Sequence, residues 1–287
     1  MMNKKFDIYE MITNKIIARL EAGVVPWHQP WDIQTDMPIN LITKRPYRGI
    51  NFILLLGLHE RPYYMTYKQI KGRGFTLKEG AKSHTVVFWK FFTYVSEDDQ
   101  GELKETKTVP FLRYYYVFNV QDIDGVPESL MPVKPQREFK PILAAKNIVE
   151  NWKDRPVVKH DTPNAFYRPA SDEVHMPKPQ SFHSGEEYYS TLFHELVHST
   201  GHHARLDRFS KKMNHSFGSK DYSQEELVAE MGASFLCGFA GIENKTIDSS
   251  ASYIKGWLAK FKGDRKILMN AASQAQKAAD YILSVEN

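Results

Sequence analysis

The residues in this chain best suited to chemistry are His194-Glu195-Leu196-Val197-His198. Two histidines at i and i+4 leave a helix on one side, one turn apart. Imidazoles so placed can both reach a single tetrahedral Zn²⁺ at about 2.0–2.1 Å per bond. Glu195, beside them, is placed to hold a water and take its proton, which is the chemistry of a zinc-dependent peptidase. The setting agrees. Ser184-Gly185-Glu186-Glu187 reads as a capping box that opens a helix. Tyr189, Leu192, Phe193, Leu196 and Val197 then form one apolar stripe at helical spacing. Gly201 is where the chain is expected to turn away.

A catalytic zinc takes three protein ligands. The extended pattern with a further histidine at 204 fails, because Ala204 stands there and His202 and His203 fall short of it. A second helix, predicted over Ser223 to Phe239, carries Glu226 and Glu230 four apart, with Leu227, Met231 and Phe235 on the adjoining apolar face. Two assignments stay open. In the adopted one Glu226 is the third ligand and Glu230 orients a ligand imidazole. In the other, Ser223-Gln224-Glu225-Glu226 is a capping box, so Glu226 is a cap and Glu230 the ligand. Glu225 is expected to face solvent. The group that stabilises the oxyanion is to be found among Tyr222, His202, His203 and Arg205. Upstream, Ala165–Tyr167 and Glu173–Met176 read as a hairpin whose edge can take a peptide, with His175 at the surface.

The second chemical signal is a basic, ring-rich stretch. Between Asn40 and Val95 stand ten Lys or Arg, two acidic residues and eleven aromatics. Cations neutralise phosphates without reading sequence, and flat rings stack on unpaired bases. Nothing there resembles a recognition helix, so single-stranded rather than duplex nucleic acid is the expected partner. The expected contacts are Lys44, Arg45, Tyr47, Arg48, Tyr67, Lys68, Lys71, Arg73, Lys78 and Lys82. More than half of the rings are expected to be core. Trp27 and Trp31 are either core anchors or stacking platforms. The acidic run Glu97 to Glu105 reads as the solvated tip of a hairpin between strands Thr85–Val95 and Thr106–Val120.

Other elements must position these residues. Ile8, Ile12, Ile16 and Leu20 predict an amphipathic helix over Phe6 to Ala22, stopped at Gly23. Asn51 to Leu58 is a short apolar helix or buried strand, and Thr66 to Gly72 a short helix. Ile142, Ala145, Ile148, Val149 and Trp152 mark another helix face. At 287 residues and 33.3 kDa the chain suits two domains. These are a single-stranded-DNA-binding domain over 1–130, a Pro-bearing linker over 131–140 and a metallopeptidase domain over 141–287. With 42% hydrophobic and 25% charged residues, a disordered chain is excluded. Cys237, the one cysteine, excludes a disulfide framework and a multi-cysteine zinc module. No apolar h-region opens the chain and no run approaches the ~20 residues of a membrane span, so a cytoplasmic protein without membrane partners is expected. A net charge of +4 names no partner by itself.

These residues resemble the ArdC-type antirestriction proteins of conjugative plasmids and related mobile elements. In the first half the resemblance lies in Pro26-Trp27 and Pro30-Trp31, Asn40-Leu41, Pro46-Tyr47-Arg48-Gly49-Ile50-Asn51, Met65-Thr66-Tyr67-Lys68-Gln69 and Val117-Phe118-Asn119-Val120. In the second it lies in Tyr167, Asp172 and Pro177, His194 to His202, Arg205-Leu206-Asp207-Arg208 and Glu225 to Glu230. The chain departs from the usual pattern in having Glu230 where Asp is common. The resemblance implies an α+β protein: a small mixed N-terminal domain with an antiparallel sheet, and a zincin-like, mostly helical C-terminal domain. It further implies binding of single-stranded DNA, Zn²⁺ or another divalent transition metal at the C-terminal site, an unidentified protein substrate, and protection of incoming plasmid DNA from restriction. The alternative is a DNA-coating protein whose metal-bound zincin domain is catalytically silent.

Overall fold

The computed structural model describes residues 7–27, 37–97, 103–132, 141–209, 220–242, 251–264 and 266–285. Helix α1 (Ile8–Glu21) opens the chain, capped by Asp7, whose carboxylate accepts from the backbone N–H groups of Tyr9 and Glu10. Strand β1 (Ile39–Asn40), helix α2 (Ile50–Leu55), strand β2 (Tyr63–Thr66), helix α3 (Tyr67–Gly72) and strand β3 (Thr76–Leu77) follow. So Asn51 to Leu58 is mainly a helix rather than a strand. Helix α3 starts in a full capping box of Thr66 and Gln69. The long strands β4 (Ser83–Glu97) and β5 (Leu103–Asn119) form an antiparallel hairpin where the sequence predicts one. Its tip, residues 98–102, lies outside the described residues. One sheet runs in the order β1, β2, β5, β4. Strand β3 pairs separately with β6 (Ile123–Asp124).

The second half begins with α4 (Pro141–Asn151), then a small sheet of β7 (Val157–Lys159), β8 (Phe166–Arg168) and β9 (Glu173–His175) in the order β7, β9, β8. Helices α5 (Gly185–Ser199), α6 (Lys220–Ala240), α7 (Ala251–Gly263) and α8 (Ile267–Leu283) complete it. The molecule is therefore α+β with a sheet-bearing first half and a helical second half. The expected linker, from residue 133 on, lies outside the described residues, as does the Pro30-Trp31 pair.

The largest core contains residues of both halves. Ile12, Ile16, Leu20, Trp27 and Phe52 lie in it beside Phe235, Trp257, Phe261 and Leu268. Trp27 is wholly buried, edge-on to Trp257 and Phe261 at 6.1 and 5.9 Å, and so is a core anchor. Phe52 meets Phe235 edge-on at 5.1 Å. Polar groups tie elements within the first half and join it to α8. Arg19 of α1 donates to the carbonyls of Ile53 and Leu56 at the end of α2. The side chain of Asn51 exchanges two 2.7 Å bonds with the backbone of Val87 on the free edge of β4. Arg48 forms an ion pair with the buried Asp280 of α8, and Gly49, at φ 55°, donates to Gln276. Cys237 is a buried core residue.

Candidate metal centre

Helix α5 starts as the sequence requires. The Ser184 hydroxyl accepts from Glu187 N–H, while the Glu187 carboxylate reaches back to the N–H of His183 rather than of Ser184. Leu192, Phe193, Leu196 and Val197 are buried, which turns His194 and His198 together toward α6. Their Nε2 atoms lie 3.1 Å apart. Helix α6 begins at Lys220, three residues earlier than predicted. Ser223 is thus interior to the helix and no cap, so the capping-box reading of Glu226 fails. Glu226 instead points at both imidazoles, 3.6 Å from each Nε2.

Close approach of α5 and α6 makes this geometry. Gly232 lies against Val197, and a Cβ there would stand 2.8 Å from two methyl carbons. Gly201 serves a similar end. Its φ is not positive, and its missing side chain leaves room for the Phe209 ring, which a Cβ would approach to 2.6 Å. Packing, more than a turn, requires glycine there.

The ligand atoms of His194, His198 and Glu226 all lie within 4.8 Å of one another. Two ligands about 2.0–2.1 Å from a tetrahedral ion are about 3.3 Å apart, and the observed edges of 3.1 and 3.6 Å bracket that value. The charge fits as well. Burial disfavours charge on His198, but its hydrogen bond to Glu225 and the carboxylates of Glu195, Glu226 and Glu225 outweigh this and bring the imidazole up to about 9. Burial would likewise raise Glu226, yet its bond to His194 and the two imidazoles bring its carboxyl down to about 2. Three carboxylates, those of Glu195, Glu225 and Glu226, thus act on the His198 imidazole.

Glu225 corrects the expectation of a solvent-facing residue. It is buried, and its Oε1 lies 3.4 Å from His198 Nδ1. Arg208 grips the same carboxylate at 2.7 and 3.1 Å and also donates to Val197 O and to the Thr200 hydroxyl. Glu225, rather than Glu230, therefore orients the His198 imidazole and leaves its Nε2 toward Glu226. Glu230 lies half-buried one turn further along α6, where Trp27 Nε1 at 3.0 Å and the Tyr253 hydroxyl donate to it. Arg208 carried no signal in the sequence beyond its place in the Arg205–Arg208 run. Glu225 would have been found by starting α6 one turn earlier.

A cleft of about 410 Å³ opens over the site, lined by Ala165, Phe166, Tyr167, Pro169, His194, Glu195, His198, Phe209, Tyr222, Glu225 and Glu226. Of the four candidates for the oxyanion, Tyr222 alone lines it. The Tyr222 hydroxyl is raised to about 12 by burial and by bonding to Glu226, so it stays protonated. Arg205 is spent elsewhere. It clamps both oxygens of Asp172 at 2.8 Å, and Tyr167 also donates to Asp172, which fastens the β8–β9 turn to α5. Strand β8 is the open edge of its sheet on the cleft side. His175, expected at the surface, is buried, 2.8 Å from Asp161 and stacked on Phe166.

The predicted nucleic-acid contacts are scattered. Tyr47 is buried, edge-on to Tyr64 in a small core with Leu55, Val86 and Val117, and its ring is not available to a base. Arg48 is committed to Asp280. Lys44 donates to Leu130 O and Lys78 to Gln121 O. Arg45, Tyr67, Lys68, Lys71, Arg73 and Lys82 are exposed, four of them on or beside α3. Of the eleven rings from Tyr47 to Tyr94, only Tyr47, Phe52, Tyr63 and Tyr64 are buried among those described. The expectation that more than half would be core fails, because β4 runs on past the body of the sheet.

Two family models match this chain: the N-terminal domain of the anti-restriction factor ArdC over residues 6–118, and a zincin-like metallopeptidase over residues 144–274. Two crystal structures of the antirestriction protein ArdC from plasmid R388 are similar to it. The metal-free one has a TM-score of 0.74 at 38% identity, over 96% of this chain and 97% of that one. The Mn(II)-bound one has a TM-score of 0.75 at 36% identity, over 97% and 98%. Protein y4eC of Sinorhizobium fredii is 33% identical over 96% of this chain and 91% of its own length. Two DNA primases TraC of Escherichia coli are 32% and 33% identical over 100% and 99% of this chain, which spans only 28% and 20% of their lengths. No helix among the described residues is long and apolar enough to cross a membrane.

Proposed function

The chain belongs to the family of ArdC-type antirestriction proteins, and from that premise we propose that it binds single-stranded DNA with its first half and cleaves a protein with a zinc-dependent peptidase site in its second. One observation carries the peptidase reading: the imidazoles of His194 and His198 and the carboxylate of Glu226 converge within 4.8 Å in an open cleft that Glu195 also lines. His194, His198 and Glu226 would hold Zn²⁺, with other divalent transition metals able to compete. When bound, the cation supplies Lewis-acid polarisation of a peptide carbonyl and acidifies a water.

The protein's own groups do the rest. Glu195 takes the proton of the attacking water and passes it to the leaving amine nitrogen. Tyr222, kept protonated, turns its single O–H from Glu226 to the oxygen on which charge develops. Arg208 and Glu225 hold His198 with its Nε2 toward the site. The open edge of β8 offers backbone groups along which an extended peptide can pair.

The test is Glu195→Gln in the metal-loaded full chain, with labelled denatured casein as probe. Cleavage should fall by about 10²–10⁴-fold, with metal content and oligonucleotide binding unchanged. An equal rate in the variant defeats the assignment of Glu195. Absence of turnover in the loaded native chain, on this probe and on restriction endonucleases, favours a DNA-coating protein with a silent site.

A further inference from the structure

We propose that single-stranded nucleic acid lies on one face of the β4–β5 ribbon, on a chequerboard of rings and cations made by Phe88, Lys90, Phe111 and Arg113. The inference deepens the single-strand-binding reading above and rests on it. Strand β5 pairs with β2 only through Val117–Asn119, whereas its pairing with β4 runs on to Glu97 and Leu103. Much of the hairpin is therefore a two-stranded ribbon with two faces.

Side chains alternate between those faces, and directly paired residues share one. Phe88 pairs with Arg113, Lys90 with Phe111 and Phe92 with Val109. Across each of the first two rungs a ring faces a cation, and along each strand they alternate. Phe88 and Phe111 are 43% and 40% exposed, and Lys90 and Arg113 are also exposed. The rings pack edge-on against neighbours. Phe88 meets Tyr115 edge-on at 5.7 Å, and Phe92 meets Phe111 at 5.1 Å. Lys90 Nζ sits 4.8 Å from the Phe92 ring centre.

The opposite face differs. It presents Val87, Trp89, Phe91, Thr93, Thr108, Pro110, Leu112 and Tyr114, with no charge. The ring-and-cation face carries no acidic residue over 86–92 and 109–115. Exposed rings offer stacking to bases of any sequence, and the interleaved cations offer partners to phosphates. The acidic run from Glu97 to Glu105 would repel a polyanion, so the track ends before the tip. None of these four residues was among the contacts predicted from the sequence, of which only Tyr67, Lys68, Lys71 and Arg73 lie on or beside α3.

The experiment is fluorescence anisotropy of a labelled oligodeoxythymidine of about 20 nucleotides with the full chain, at about 50 to 200 mM salt. Phe88→Ala and Phe111→Ala should each weaken binding about tenfold. The double variant Lys90→Gln/Arg113→Gln should make the salt dependence shallower by about 1.4 in the log–log slope, at about 0.7 per cation on a single strand. Phe91→Ala, on the other face, should bind as the native chain does. Native affinity and slope in the ring and cation variants overturn this inference alone, as does a loss confined to Phe91→Ala. No binding by the native chain at the lowest salt overturns the single-strand reading itself. Should a ring variant misfold, the glutamine pair at exposed positions still decides.

Discussion

Two carboxylates one turn apart on the same helix have been put to different uses. Glu226 faces two imidazoles that draw it down to about 2, while Glu230 faces an indole and a phenol and burial pushes it up to about 7. Since the ordinary value is 4.5, the folded protein binds a proton at Glu230 that the unfolded chain has lost between those values. Stability from this group is thus fully present below pH 4.5 and is lost as pH rises through 7. Urea unfolding of the native chain should lose up to about 3 kcal/mol more between pH 5 and 8 than Glu230→Gln does. Parallel pH profiles would show that Glu230 is not protonated on folding. Glu225 makes a separate prediction. Glu225→Gln removes the charge behind His198 and should weaken Zn²⁺ binding about tenfold by chelator competition. Glu226→Gln, which touches both imidazoles, should cost more. The reverse order would remove Glu226 from the ligand set.

At the scale of elements, the site is a product of two helices that pack closely at Gly232. Val197 of α5 occupies the space a side chain at Gly232 of α6 would need. Gly232→Ala should therefore destabilise the protein by about 1–3 kcal/mol through overpacking, and loosen metal binding as α5 and α6 part. A native unfolding midpoint together with native metal affinity would show that the contact does not set the site. The glycine at 201 and the Asp172–Arg205 clamp do comparable work at the end of α5. They seat Phe209 and the β8–β9 turn beside the cleft.

On the scale of the whole molecule, the halves are joined by more than chain connectivity. The core runs from Ile12 and Trp27 to Phe261 and Leu268, and Trp27 reaches Glu230, one turn beyond Glu226. Arg48 and Gly49 fasten onto α8. Such a shared core should unfold as one unit. Arg48→Met takes the countercharge from the buried carboxylate of Asp280, which keeps its bond from Gln276, and should lower stability by about 2 kcal/mol within a single transition followed by both tryptophan fluorescence and circular dichroism. Two separated transitions would mean that the halves are energetically independent.

What the sequence determined by itself was local. Helical spacing placed His194, Glu195 and His198, the caps at Ser184 and Thr66 started their helices, and alternation marked the long hairpin. Such features depend on residues within a turn or a strand of each other, where backbone geometry leaves few choices. Tertiary structure alone decided that Glu225 is inside and Glu230 is bound to Trp27, that Tyr47 and Arg48 serve the interior, and that rings on β4 and β5 stand in the open. Each of those depends on which distant segment packs against the residue, and burial by a remote partner leaves no periodic trace in the chain.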